Sequence, residues 1–220
     1  MRFPALLTLV VCFATANHAA SPKPAPKPTP TPAPAAIPLV KPEVCLLLPE
    51  PRAMKSGISQ PLAESRSTVF TPAHSPAGGK EVSTYTQAEF AKLGIGFETF
   101  QERAEAAADR MLAARQPDWV KDDAGHVQYA VYRAEEPVIS CLLVAPSLSQ
   151  IFKKVFGDEI WLITPDRHSL YVFPAKAEAL AGFAEALRQT YEGTAFAASE
   201  EIFLRKSGSN LLAVGSLPKS

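Results

Sequence analysis

The chain has 220 residues, 47% of them hydrophobic, and its 22 basic side chains equal its 22 acidic ones, so the formal net charge is zero. That balance excludes a broadly basic nucleic-acid binder and an acidic disordered chain. Three cysteines are too few for a disulfide-stapled scaffold.

The amino terminus has the parts of a secretory signal peptide over residues 1–20. Arg2 supplies a positive start, residues 3–13 are almost wholly apolar, and Ala14-Thr15-Ala16 gives the small-x-small pattern of a cleavage site. The apolar run is too short to span a bilayer, which takes about 20 residues. A lipoprotein reading at Cys12 meets bulky Leu9, Val10 and Val11 where small residues are needed. The expectation is an exported protein, periplasmic or extracellular, with no transmembrane segment once the signal is removed. Cleavage leaves Cys45 and Cys141, which an oxidising compartment would allow to pair; Cys141, inside an apolar run, also reads as a small core residue.

Residues 21–43 carry proline at every second position from Pro22 to Pro34. Each proline fixes φ and lacks an N–H, so helix and sheet are both blocked. An extended polyproline-II spacer of about 3.1 Å per residue is expected. Such a segment serves as a tether, or as a ligand for a polyproline-binding groove or cell-wall surface. Residues 44–80 read as a mostly irregular arm. Apolar VCLLL (44–48) runs into Pro49 and Pro51, and STVF (67–70) into Pro72, Pro76, Gly78 and Gly79.

The globular part is expected over 81–217. Thr86 and Glu89 have capping-box spacing for a short helix that Gly94 ends. Thr99 and Glu102 repeat the signal, and Phe100, Ala104, Ala107, Met111 and Ala114 recur at helical spacing, predicting a long helix over 99–115. Residues 126–133 alternate as a strand. Residues 138–145 (VISCLLVA) form a continuous apolar run, read as a strand buried on both faces. Ser147 heads a third capping-box pattern, before a helix carrying Leu148, Phe152 and Phe156 and ended by Gly157. Residues 159–164 and 169–173 are strand-like and flank the turn Pro165-Asp166-Arg167-His168, the strongest hairpin in the chain. A helix with Leu180, Phe183, Ala184, Leu187 and Tyr191 on its buried face follows. Residues 201–204 and 211–214 read as a last strand pair.

Helices alternating with strand pairs imply a single layered α+β domain, order α-β-β-α-β-β-α-β-β. Its sheet is mainly antiparallel, built from three strand pairs, with helices covering one face.

The stretches LGIGFETFQERAEAAADRML and ISCLLVAPSLSQIFKKVFGDEIWLITPDRHSLYVFP resemble the YtpQ-like family of uncharacterised bacterial proteins. The resemblance covers about residues 87–175. It rests on a helix with regularly placed alanines and a later hairpin through Pro165, Asp166 and Arg167, leading into Leu170 and Val172. The family has no established activity, so the resemblance implies an architecture and assigns no catalytic residue or cofactor. The signal peptide and spacer depart from the family pattern.

Chemistry is sparse. The histidines are His18, His74, His126 and His168; no zinc-ligand spacing, nucleophile elbow or phosphate loop is present, and no metal or cofactor is expected. The best local cluster is Asp166, Arg167 and His168. There Arg167 could grip a carboxylate or phosphate with His168 as proton donor. The reading the residues favour is that Asp166 bonds backbone N–H groups in a solvated turn while Arg167 pairs with a nearby carboxylate. Asp122 and Asp123 with His126 could be a ligand cluster or a loop cap. Trp119 and Trp161 are core or binding-face residues. Two functions follow. The first is a non-catalytic exported module, tethered by its spacer, that binds a protein or peptide partner in the cell envelope. The alternative is a hydrolase or ligand-processing enzyme using the 166–168 turn.

Overall fold

The computed structural model describes residues 44–75 and 81–218, all within one unit, Val40–Ser220. The expected signal peptide and the whole of the proline spacer lie outside the described residues. The fold is α+β with two open, mainly antiparallel sheets.

The larger sheet has six strands. They are β5 (Asp118–Lys121), β6 (Val127–Arg133), β7 (Glu159–Ile163), β8 (Ser169–Pro174), β9 (Glu201–Lys206) and β10 (Leu212–Ser216), in spatial order β10-β9-β7-β8-β6-β5. The expected hairpin is present as β7 and β8, with Ile163 opposite Tyr171 and Leu162 opposite Val172. Side chains alternate across a strand, and here both faces are apolar. Ile160, Leu162, Leu170, Val172 and Phe203 enter the main core. The intervening Trp161, Ile163, Tyr171 and Phe173 face a second cluster.

The helices divide accordingly. α1 (Gln87–Lys92) opens on a capping box at Thr86, where the Glu89 N–H donates to the threonine hydroxyl oxygen and the Glu89 carboxylate accepts from Thr86 N–H. α2 (Phe97–Ala113) buries Phe100, Ala104, Ala107, Ala108 and Leu112 in the main core or against it. It begins at Gly96, without a side-chain cap, so Thr99 is not its start. α3 (Leu148–Phe156) packs on β7 and β9 and ends at Gly157, whose φ of 94° suits glycine. Ser147 does not cap it; its hydroxyl and N–H both donate to Asp109 Oδ1 on α2. The segment after β8 is two helices, α4 (Ala177–Ala181) and α5 (Ala184–Gly193), broken at Gly182-Phe183. Leu180, Ala184 and Leu187 from this pair close over Ile163 and Phe173. The large sheet is therefore roofed on both faces, not on one.

Two further sequence expectations are corrected. Residues 138–145 are not a strand. Ile139–Val144 is a 3₁₀ segment with all six residues buried. A short apolar run has no period that separates a strand from a buried turn of helix. The place beside β6 is filled by β8 on one side and β5 on the other, and the N–H groups of Ile139 and Ser140 bond instead to Arg167 O.

Residues 44–75 are not an irregular arm. β1 (Val44–Pro51) and β3 (Thr68–Ser75) pair over eight positions, joined by short β2 (Gln60–Pro61) and β4 (Ser83–Thr84) into the second sheet. Leu46, Leu47, Leu48, Val69 and Phe70 are buried. The prolines are tolerated by position. β1 pairs only with β3, so Pro49 and Pro51 occupy an edge strand, and Pro72 falls between the end of β2 pairing at Phe70 and the start of β4 pairing at Ala73.

The loop between β2 and β3 is bound to β9. Glu201, 2% exposed, accepts from Ser65 Oγ at 2.6 Å, Arg66 N at 2.6 Å and Ser67 N at 3.1 Å. Glu64, with φ 62°, bends the chain into this arrangement. Burial pushes the Glu201 carboxyl up, but the hydrogen bonds from Ser65, Arg66 and Ser67 outweigh it and hold it below its ordinary value.

Candidate ligand-binding cleft

The cluster singled out in the sequence lies at the tip of the β7–β8 hairpin, and its three side chains do separate jobs. Asp166 Oδ1 accepts from His168 N at 2.8 Å and from Ser169 Oγ at 2.9 Å, which fixes the turn. Arg167 points inward and forms an ion pair with Glu50 of β1, both largely buried. The backbone of the tip is sealed by residues 196–199, through Arg167 N to Phe196 O and Ala198 N to Pro165 O. The His168 ring packs edge-on against Phe196, centroids 5.3 Å apart. Asp166, His168 and Ser169 do share one open hollow with Arg133 and Tyr171. Yet Ser169 donates to Asp166 rather than to His168, so the order of donors is not that of a nucleophile activated by an imidazole base.

The other sequence candidates make local contacts of their own. Asp122 accepts from His126 N at 2.8 Å, and Gly125, φ 84°, closes that loop. The backbone hydrogen bond from His126 chiefly holds the Asp122 carboxyl below its ordinary value. His74 packs against Tyr85. Trp119 is 40% exposed and leans on Phe152 and Phe156, whereas Trp161 is packed against the cluster under α4 and α5. Cys141 is buried with its thiol pushed up to about 12 by burial, and no disulfide joins it to Cys45. Among the described residues no group of three or more His, Cys, Asp or Glu is placed to hold a metal ion. No helix among them is long and apolar enough to cross a membrane.

A cavity of about 400 Å³ lies elsewhere. It opens between β2 with the residues after it, the start of α2 and the β9–β10 turn. Its apolar wall includes Leu47, Leu62, Phe70, Phe97, Val144 and Leu211; Gln60, Gln101, Glu105, Ser209 and Asn210 supply polar groups. Arg205 completes the lining. It comes from β9, in phase with Phe203 and Glu201, so all three turn to the buried side of the strand.

Arg205 is 7% exposed, and its hydrogen bonds are long. Nη2 donates to Leu143 O at 3.3 Å and Nη1 to Ser209 O at 3.4 Å. Its Nε is buried without a partner. No carboxylate among the described residues forms an ion pair with it, although Glu105 and Asp109 of α2 are near enough to act electrostatically. Burial pulls the guanidinium below its ordinary value, and those two carboxylates pull it part of the way back. Glu105 Oε1 is meanwhile bonded by Gln101 Nε2 at 2.8 Å, and Asp109 by Ser147.

Sequence reasoning missed this site. The signal was present in EIFLRK: once Phe203 is assigned to the core face, period two puts Glu201 and Arg205 there too, and a charged residue on a core face needs an explanation.

No family model, no curated protein and no solved structure matches the chain.

Proposed function

We propose that this chain is an exported, non-catalytic binding module whose α+β domain takes a peptide segment of a partner in the cell envelope into the Arg205 cleft. The observation that carries the reading is the cleft itself: apolar walls, a few convergent polar groups and one incompletely satisfied buried cation, in a volume typical of ligand sites. Export rests on the leader over 1–20 and tethering on the proline segment over 21–43. Chain recovered from the cytosol with Met1 attached would overturn the address.

The test of binding is calorimetric. The full exported chain is titrated with a pool of N-acetylated apolar tripeptides. Saturable heat is expected, and it is expected to vanish in Ala63→Trp, where an indole is added at an exposed residue of the cleft lining. Heat that survives in Ala63→Trp overturns the assignment.

One observation favours a second reading, hydrolysis at the hairpin tip: Asp166, His168 and Ser169 share a hollow. A panel of p-nitrophenyl esters and phosphates decides it. Turnover that disappears in His168→Ala would establish the enzyme and displace the binding module. Kinship with the YtpQ-like family is likewise a proposal, supported by the helix–hairpin order over 87–175. A family member lacking a hairpin equivalent to residues 159–174 would end it.

A further inference from the structure

A buried guanidinium has five N–H donors in a planar fork and is costly to leave short of partners. In Arg205 both terminal contacts are longer than the usual 2.9–3.0 Å for N–H···O bonds, and Nε has no acceptor. Arg167, its side chain 16% exposed and its own Nε likewise without an acceptor, has a carboxylate in Glu50. Arg205 has none among the described residues, and it borders a cavity. What would complement its terminal Nη groups, whose contacts are long, is an anion that presents two coplanar oxygens, the geometry of a carboxylate.

The rest of the lining narrows the ligand further. The walls contributed by Leu47, Phe70 and Leu211 call for apolar groups beside that carboxylate. The amide and hydroxyl side chains of Gln60, Gln101, Ser209 and Asn210 call for several polar groups along the ligand. An acyl chain, polar at one end only, would leave them facing hydrocarbon, whereas peptide groups would meet them. Glu105 also lines the cavity and disfavours a second negative charge. A cavity of about 400 Å³ holds a chain end of a few residues and not the surface of a folded domain.

We propose that the cleft captures the free carboxyl terminus of an apolar peptide, with the terminal carboxylate seated on Arg205. This deepens the reading of the cleft as a peptide seat and rests on it.

The experiment compares four titrations of the full exported chain: N-acetylated tripeptides ending in leucine, phenylalanine or methionine as free acids, the same peptides as C-terminal amides, the acids with an added aspartate, and decanoate. The acids are expected to bind at least tenfold more tightly than the amides, and addition of aspartate is expected to weaken them. Arg205→Met is expected to erase the difference between acid and amide. The acid–amide comparison needs no variant, so it decides the matter even if Arg205→Met fails to fold. Equal affinity for acid and amide, with binding still lost in Ala63→Trp, overturns the carboxylate seat and leaves the peptide cleft standing. Decanoate binding more tightly than every peptide acid overturns the peptide source. No heat from any probe overturns both the seat and the reading beneath it.

Discussion

Two inward-turned arginines, Arg167 and Arg205, differ in what the fold brings to them. Arg167 stands in a sequence context that suggests chemistry, between an aspartate and a histidine in a turn. The fold spends it on Glu50, 117 residues away, and so locks the hairpin tip onto β1. Arg205 stands in an ordinary strand. The fold gives it two long bonds to carbonyls, a cavity wall and no carboxylate partner among the described residues, while the Nε of both arginines lacks an acceptor. The lesson is that neighbours in sequence indicate little about whether a charge is available. Availability depends on whether a counter-charge arrives from a distant element.

The contrast fails if the Arg167 pair is not structural, so the largest expected effect is there. Glu50→Ala leaves Arg167 buried and uncompensated, and should cost about 3–5 kcal/mol in urea unfolding. A loss under about 1 kcal/mol would mean that the turn does not depend on the pair. Cys141 offers an independent gauge. Its buried thiol, pushed up to about 12, stays protonated and shielded at pH 8. Alkylation in the wild type should therefore be slow, and Glu50→Ala should speed it by about a hundredfold if 3 kcal/mol of stability is lost.

Glu201 sharpens the comparison from the opposite charge, because it is a buried ion that the fold satisfies entirely with neutral donors. Glu201→Gln should cost about 2 kcal/mol at pH 7, the range for hydrogen bonds to a charged group. Its folded pKa lies below the ordinary value of 4.5. The stabilisation is therefore complete above that value and is lost as the pH falls through the lower folded one. Unfolding midpoints taken between pH 7 and pH 3 should drop more steeply in the wild type than in Glu201→Gln.

The smallest effect is expected at Arg205. Arg205→Met removes a cation with no ion-pair partner and puts an apolar side chain in its place, so unliganded stability should change by less than about 1 kcal/mol in either direction. A loss comparable to that of Glu50→Ala would show that Arg205 holds the fold together, and the contrast between the two arginines would disappear.

Much of the fold was legible along the chain. The capping box at Thr86, the alanine face of α2, the glycine stop at Gly157 and the Pro165–His168 turn each depend on contacts a few residues apart, and each helix or strand they announce is present, though some boundaries moved. The misread segments have a common cause. Residues 138–145 are apolar without a period, and prolines 49, 51 and 72 forbid a strand only where their missing N–H is needed. In both cases the outcome depends on which neighbour already occupies the adjacent slot of the sheet. The site follows the same division. Period two was enough to put Arg205 on the inner side of its strand. That no carboxylate would pair with it, that a cavity would form beside it, and that Arg167 would be neutralised were settled by the packing of β1, α2 and the β2–β3 loop around β9. Charges are compensated through space, and the chain's order along its length does not encode those distances directly.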